Sequence, residues 1–302
     1  MGRTFTGEAC ALLAALTWAL AVVLLKRTGE FVSPLALNLF KNVVALILLI
    51  ATLAIMPSAG ELMRNSTRED LAILVLSGMV GIAVGDTLLL RSLNLLGVGL
   101  ASVVDCLYSP FVILFSYLIL SEELGVSHYM GTGFILAGVF ISSRHAPPAD
   151  RTRGQLLLGI VLGAFSMAFM SFGIVIAKPV LDINDFPLIW ATTLRLLPAT
   201  IALALFAIAS PQRREHWSVF RPTHIWKVSI PASVLGMYLA MIFWVAGFKY
   251  AKASIAGVLN QTSIIFAIIL ASLILKEPLT RRKLVAVAMA SVGVVLVTYN
   301  IR

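Results

Sequence analysis

The chain has 302 residues, 60% of them hydrophobic and only 12% charged, with a mean hydropathy of +0.98 and a formal net charge of +9. A soluble domain carries about 25% charged residues, so this sequence cannot cover itself with polar surface in water and reads as an integral, multi-pass membrane protein. Its basic residues lie in scattered short loops, which fits attraction to anionic lipid headgroups and not a nucleic-acid surface, while Cys10 and Cys106 both lie in apolar runs and imply neither a disulfide framework nor a metal site.

Ten apolar segments follow along the chain, divided by charges or by Pro and Gly. The first, 9–25, runs on into Lys26-Arg27 with no small-residue cleavage pattern, and is read as a spanning helix and not as a removed signal peptide. Segments 34–56, 71–93, 98–120 and 129–143 complete the first half. The second half offers 155–177, 187–209, 225–248, 253–275 and 284–299. Between the halves lies one linker, 146–153, with the Pro147-Pro148 pair and several charges; it divides the chain into units 1–145 and 154–302. No stretch outside the segments is long enough for a soluble domain.

The two units share a plan. Glu122 and Glu277 are separated by 277 − 122 = 155 positions. At that offset Gly81 meets Gly236, Ala101 meets Ala256, Phe111 meets Phe266, and Leu118-Ile119-Leu120 meets Leu273-Ile274-Leu275. Gly138-Val139 meets Gly293-Val294, and polar Asp105 falls opposite polar Asn260. Apolar segments coincide partly because they draw on few residue types; the paired Glu and Gly do not, and they indicate a duplicated unit. Five spans per unit is an odd number, so the second copy enters the membrane from the opposite side. That gives an inverted repeat about an axis in the membrane plane. Segments 129–143 and 284–299 are short and occupy matching places. Such spans either flank a binding site or are peripheral helices that tilt little.

Several features recur in a fixed order: Trp18 with Lys26 closing the first segment, Lys41 and Arg195 in the second and seventh, and small residues opening the fourth and ninth. Glu122 and Glu277 close those two segments, and Gly138-Val139 and Gly293-Val294 follow. Over essentially the whole chain this order resembles the drug/metabolite transporter superfamily, and within it the ten-helix EamA type. The first copy departs at Ser121-Glu122-Glu123, where the family often has Gly-Glu, and the second carries Lys276-Glu277-Pro278. The resemblance implies an all-α integral membrane protein of ten transmembrane helices, arranged as two inverted five-helix repeats around a central cavity. It implies a secondary transporter, read as an exporter, of a small organic metabolite such as an amino acid or an amphipathic compound. Alternating access in the cell (inner) membrane, as a monomer or homodimer and without a cofactor, belongs to the same expectation. Its partners are then a small-molecule substrate, membrane lipids and protons.

A charged side chain deep in a bilayer is disfavoured by about 2.5–3.5 kcal/mol on insertion scales, so each one calls for a reason. Lys41 and Arg195 lie well inside their segments and either snorkel, form a structural pair, or contact substrate. Asp86 follows Gly81 and Gly85, whose G-x-x-x-G spacing lets helices approach closely. Asp105 lies one turn before Pro110, beside Cys106, Tyr108 and Ser109, where proline frees a backbone carbonyl. The matching place holds Asn260-Gln261-Thr262-Ser263. Both clusters are expected at one cavity, the alternative being interhelical hydrogen bonds alone. Trp18, Asn38, Tyr238 and Trp244 lie inside segments and either line that cavity or fill the bundle. The substrate candidates are thus Trp18, Asn38, Lys41, Asp86, Asp105, Tyr108, Arg195, Tyr238, Trp244, Asn260, Gln261 and Thr262. Asp86 and Asp105 are the candidates for proton coupling, and their rival role is a fixed pair with Lys41, Arg91 or Arg195. Glu122 and Glu277 read first as partners of a following helix N-terminus.

Two rival classes are disfavoured. The four histidines are dispersed near loops, and no H-E-x-x-H, G-x-S-x-G or phosphate-binding G-x-x-x-x-G-K-[ST] occurs, against a membrane-embedded enzyme. The polar residues are isolated and form no stripe or ring, against a channel; a facilitative carrier without ion coupling stays open. Orientation has two readings: the resemblance implies both termini in the cytoplasm, whereas the excess of loop Lys and Arg, Arg213, Arg214, Arg281 and Arg282 among them, favours the reverse. A reporter fused after Arg302 separates the two.

Overall fold

The computed structural model describes residues 2–56, 67–121, 125–143, 152–183, 186–276 and 280–299. Among them every regular element is a helix. In hydrocarbon no water is present to take a backbone N–H or C=O, so a spanning chain satisfies those groups within its own helix.

The first half folds as α1 (Gly2–Thr28), α2 (Pro34–Ile55) and α3 (Arg68–Gly78), which passes through a π-helical stretch, Met79–Gly85, into α4 (Asp86–Asp105). Then come α5 (Tyr108–Leu120) and α6 (Val126–Ser143). The second half gives α7 (Arg153–Leu181), α8 (Leu188–Ala209), the short α9 (Arg213–Ser218) and α10 (Trp226–Ser233). A second π-helical stretch, Val234–Leu239, leads into α11 (Ala240–Tyr250), followed by α12 (Ala253–Asn260), α13 (Ser263–Ile274) and α14 (Arg281–Tyr299). Among the described residues seven helical stretches are long and apolar enough to cross a bilayer: Thr6–Thr28, Pro34–Ile55, Arg68–Ala101, Val103–Leu120, Arg153–Leu181, Leu188–Ala209 and Trp226–Tyr250.

The local irregularities fall at matching numbers. The π-helical stretches begin at Met79 and Val234, at the offset of 155 read from the sequence. Each carries an i→i+5 bond, from Asp86 N–H to Gly81 O and from Ala240 N–H to Leu235 O. A helix break at Cys106-Leu107 matches one at Gln261-Thr262. Ser121 and Lys276, each just past an apolar helix, both take the left-handed conformation with φ 55°. That conformation is uncommon for any residue but glycine, so its recurrence marks two copies of one backbone path. The bounds of α2 and α8 match at an offset of 154, which puts Lys41 opposite Arg195.

The halves pack reciprocally. Helix α1 lies against α11, α13 and the second π-helical stretch, and α7 lies against α4, α5 and the first. Helices α2 and α8 pack together, as do α6 and α14. Equivalent elements meet each other and non-equivalent ones meet in exchanged pairs, as a two-fold relation between copies requires.

Three sequence expectations change. Segment 98–120 is not one helix: its backbone joins the preceding segment through Gly97, whose φ of 73° and ψ of 170° make the turn, and then breaks at Cys106-Leu107. Pro110 therefore sits in the first turn of α5, where its missing N–H leaves no helical bond unmade. The spans read as short extend further, over Val126–Ser143 and Arg281–Tyr299. Glu122 and Glu277 lie outside the described residues.

Small residues set the closest approaches. A Cβ placed on Gly78 would fall 1.8 Å from the carbonyl oxygen of Arg195, and one on Gly173 would fall 2.9 Å from that of Ser77. Backbone cannot step aside as a side chain can. Gly78→Ala is therefore expected to destabilise the bundle by about 1–3 kcal/mol, the usual range for overpacking. Gly133→Ala, at an exposed site with nothing within 4 Å of the new carbon, leaves stability unchanged. Thermal unfolding of the two variants in detergent checks the contrast.

Candidate functional site

The elements that depart from regular helix converge on one cavity between the halves. Its volume is about 90 Å³, room for several waters. Gly81 and Ile82 of the first π-helical stretch and Gly236 and Met237 of the second border it. So do the two helix breaks, through Asp105 and Tyr108 on one side and Asn260, Gln261 and Ser263 on the other. π-Helical stretches are frequent at functional sites because the widened turn redirects backbone groups and side chains. The breaks touch directly: Gln261 Nε2 donates to the Asp105 carbonyl oxygen at 3.2 Å.

The rest of the wall is apolar. Ala14, Ala15 and Trp18 of α1, Met167 and Met170 of α7, and Met241 and Trp244 of α11 line it. With Met237 this makes four methionines and two tryptophans, a surface of flexible thioethers between rigid rings.

Two basic residues at matching places meet different fates. Lys41 Nζ donates to Asp86 Oδ2 at 2.5 Å, with the two side chains 2% and 5% exposed. It also reaches Asn42 Oδ1 and Met237 Sδ, each at 3.3 Å. Lys41 stands behind Asp86, and Asp86 is the member of the pair that borders the cavity. Arg195 makes no ion pair among the described residues. Its Nε donates to Ser77 Oγ at 2.7 Å, Ser77 in turn donates to Gly173 O at 2.5 Å, and the guanidinium lies 5.1 Å from the Trp244 ring centre. Among the described residues Arg195 Nη1 and Asn260 Nδ2 are buried without a hydrogen-bond partner, and the Tyr108 hydroxyl, beside Trp244, has no acceptor for its proton. The Asp105 side chain makes no ion pair among the described residues.

Of the twelve candidates read from the sequence, Trp18, Asp86, Asp105, Tyr108, Arg195, Trp244, Asn260 and Gln261 border the cavity. Four are placed elsewhere. Asn38 Nδ2 donates to Ile82 O at 3.1 Å and Thr87 Oγ1 at 2.8 Å, supporting the first π-helical stretch from outside. Lys41 holds Asp86. The Tyr238 hydroxyl bonds Thr52 Oγ1 at 2.7 Å, and Thr262 Oγ1 caps Leu259 O at 2.8 Å. Sequence reasoning passed over Ser77 and the four methionines. A serine is common as an interhelical bond, and a methionine inside an apolar helix looks like any other core residue.

The sequence profile described as "EamA-like transporter family" matches residues 5–144 and 157–299. The chain belongs to the EamA-like transporter family. The two matched ranges are the two halves described above, and the family gives this integral, multi-pass membrane protein a transport role. No curated protein matches it significantly. Among solved structures, one described only as "Crystal structure of protein" shares the fold, with a TM-score of 0.71 and 18% identity, covering 98% of this chain and 97% of its own.

In this EamA-like chain the Lys41–Asp86 pair is expected to behave as a buried unit. Asp86→Asn alone strands a buried ammonium and is expected to lose about 3–5 kcal/mol of stability, while Lys41→Met with Asp86→Leu loses far less. Thermal unfolding of the single and double variants in one detergent measures the difference. Equal losses in both would mean that the pair does not act as a unit.

Proposed function

We propose that the protein is a secondary transporter, working as an exporter, for a small organic metabolite such as an amino acid or amphipathic compound, by alternating access in the cell (inner) membrane. The units are 1–145 and 154–302, inverted with respect to each other, ten spans in all. The observation that carries this reading is the cavity bordered by matched backbone breaks and π-helical stretches of both halves. Broken helices at corresponding places in two repeats are where secondary transporters bind substrate and coupling ions. A cavity of about 90 Å³ between the halves offers a place for a small solute. Rocking of one half on the other would open it to each side in turn, with the breaks and Gly97 absorbing the change in backbone angle.

Coupling falls to Asp105 on this reading. Of the two deep aspartates on the cavity, Asp86 is held by Lys41, while Asp105 has no cation beside it among the described residues. A carboxyl that opens alternately to water and to a dehydrated cavity can take up a proton on one side and give it up on the other. Asp105→Asn is expected to abolish gradient-driven accumulation in proteoliposomes yet spare exchange between loaded vesicles. If the variant keeps gradient-driven uptake with an unchanged pH profile, facilitated diffusion replaces proton coupling.

The transporter reading as a whole is tested by counterflow. Purified protein in vesicles loaded with unlabelled solute should transiently trap labelled solute from outside, which a carrier does and a channel does not. Vesicles that move no small solute under any gradient would overturn it.

A further inference from the structure

Besides Asp105 against Asn260, the two repeats differ at a second charged position on the cavity. In the first, the basic residue of α2, Lys41, faces Asp86 at the start of α4. At the offset of 155 that relates the π-helical stretches and helix breaks, the position equivalent to Asp86 is Met241. The carboxylate that the first repeat sets against its basic residue is thus replaced by a thioether in the second, and both Arg195 and Met241 border the cavity.

The consequence is visible in the hydrogen bonding. Most buried polar groups in a folded protein have a partner. Here three of the buried donors without one, Arg195 Nη1, the Tyr108 hydroxyl and Asn260 Nδ2, belong to residues that border the same cavity. Arg195 is 1% exposed. Ser77 fixes its Nε edge and the Trp244 ring covers one face, so the guanidinium is held in place with its Nη end left over. Among the described residues Arg195 makes no ion pair, and the charge of Asp86, already bonded to Lys41, reaches it only at longer range. A buried cation with no counter-ion in contact is strongly disfavoured, and this one belongs to a residue that borders the cavity.

We propose that the transported solute carries a carboxylate, and that Arg195, with Tyr108 and Asn260, binds it. This rests on the transporter reading above. One unpaired cation matches a single negative charge, and the planar Nη edge matches a carboxylate. The methionine and tryptophan wall takes the apolar remainder, and Asp105 keeps the cavity from attracting a second negative charge.

The experiment uses matched probes on the purified full chain in detergent: indole-3-acetate, indole-3-acetamide and tryptamine, and isovalerate, isovaleramide and isopentylamine. Ligand-dependent thermal stabilisation reads binding. At least one carboxylate should stabilise the protein while its amide and amine do not. Arg195→Gln should weaken that binding by about tenfold or more, as loss of a charge-assisted contact does. Met241→Asp gives the second repeat's cavity wall the carboxylate of the first, and should suppress carboxylate binding without loss of the fold. The proposal falls if the amides or amines bind as tightly as the carboxylates, if no carboxylate binds, or if Met241→Asp binds them as the parent does. Uptake of the labelled probes into proteoliposomes separates the two failures. Movement of amines or amides without carboxylates leaves a transporter with a different substrate, whereas no movement of any charge form removes the transporter reading itself.

Discussion

Hydrocarbon offers no water to an open peptide group, and the architecture follows from that constraint. A spanning helix can be interrupted only where other protein groups or a wet cavity take over its freed N–H and C=O groups. Among the described residues, apart from the turn at Gly97, the interruptions that border the cavity come in matched pairs: two π-helical stretches and two breaks. Side chains feed the loosened carbonyls. Asn38 of α2 bonds Ile82 O and Ser166 of α7 bonds Gly85 O at 2.8 Å from neighbouring helices, and Thr87, one turn on in the same helix, bonds Ala83 O at 2.6 Å. At the breaks, Gln261 of one half bonds the Asp105 carbonyl of the other. The irregular backbone is thus supported from both halves, and a movement of either half would alter that support.

Charge is arranged under the same constraint. Lys41 and Asp86 cancel each other at 2.5 Å, and the pair contributes a fixed polar edge to the cavity with no net charge. Arg195 is held by a hydroxyl and an aromatic face, neither of which neutralises it. Duplication gave the two halves one backbone plan, and divergence at two pairs of cavity positions, Asp86 against Met241 and Asp105 against Asn260, makes the cavity electrostatically lopsided.

Close packing limits what the scaffold tolerates. The approach of Gly78 to the Arg195 backbone, and of Gly173 to Ser77, brings α3 against α8 and α7 at distances that leave no space for a Cβ. Those contacts also set the depth of Ser77, and hence the angle at which it receives Arg195 Nε. Packing and site geometry are in this way one feature: the small residues that let the helices meet also position the group that meets the cavity.

The sequence by itself determined the membrane setting, the all-helical class and the duplication, because these depend on composition and on a regular offset that survives in the Gly pairs. It also located both polar clusters, since Asp105 and Asn260-Gln261 are costly in hydrocarbon unless they have a purpose. The tertiary structure alone decided which polar residues face the cavity. Lys41 and Asp86 are 45 residues apart and read as two separate oddities until folding puts them in contact. Asn38 and Tyr238 look like cavity residues in sequence, yet their partners, Ile82 and Thr52, are set by helix packing across the bundle. The second helix break has no proline to announce it, and the side chain of Gln261 there bonds a carbonyl 156 residues away. Helical periodicity gives the face of each helix, but the rotation of one helix against the next is fixed only by where small residues let backbones touch, and that is a property of pairs of helices that no single stretch of sequence contains.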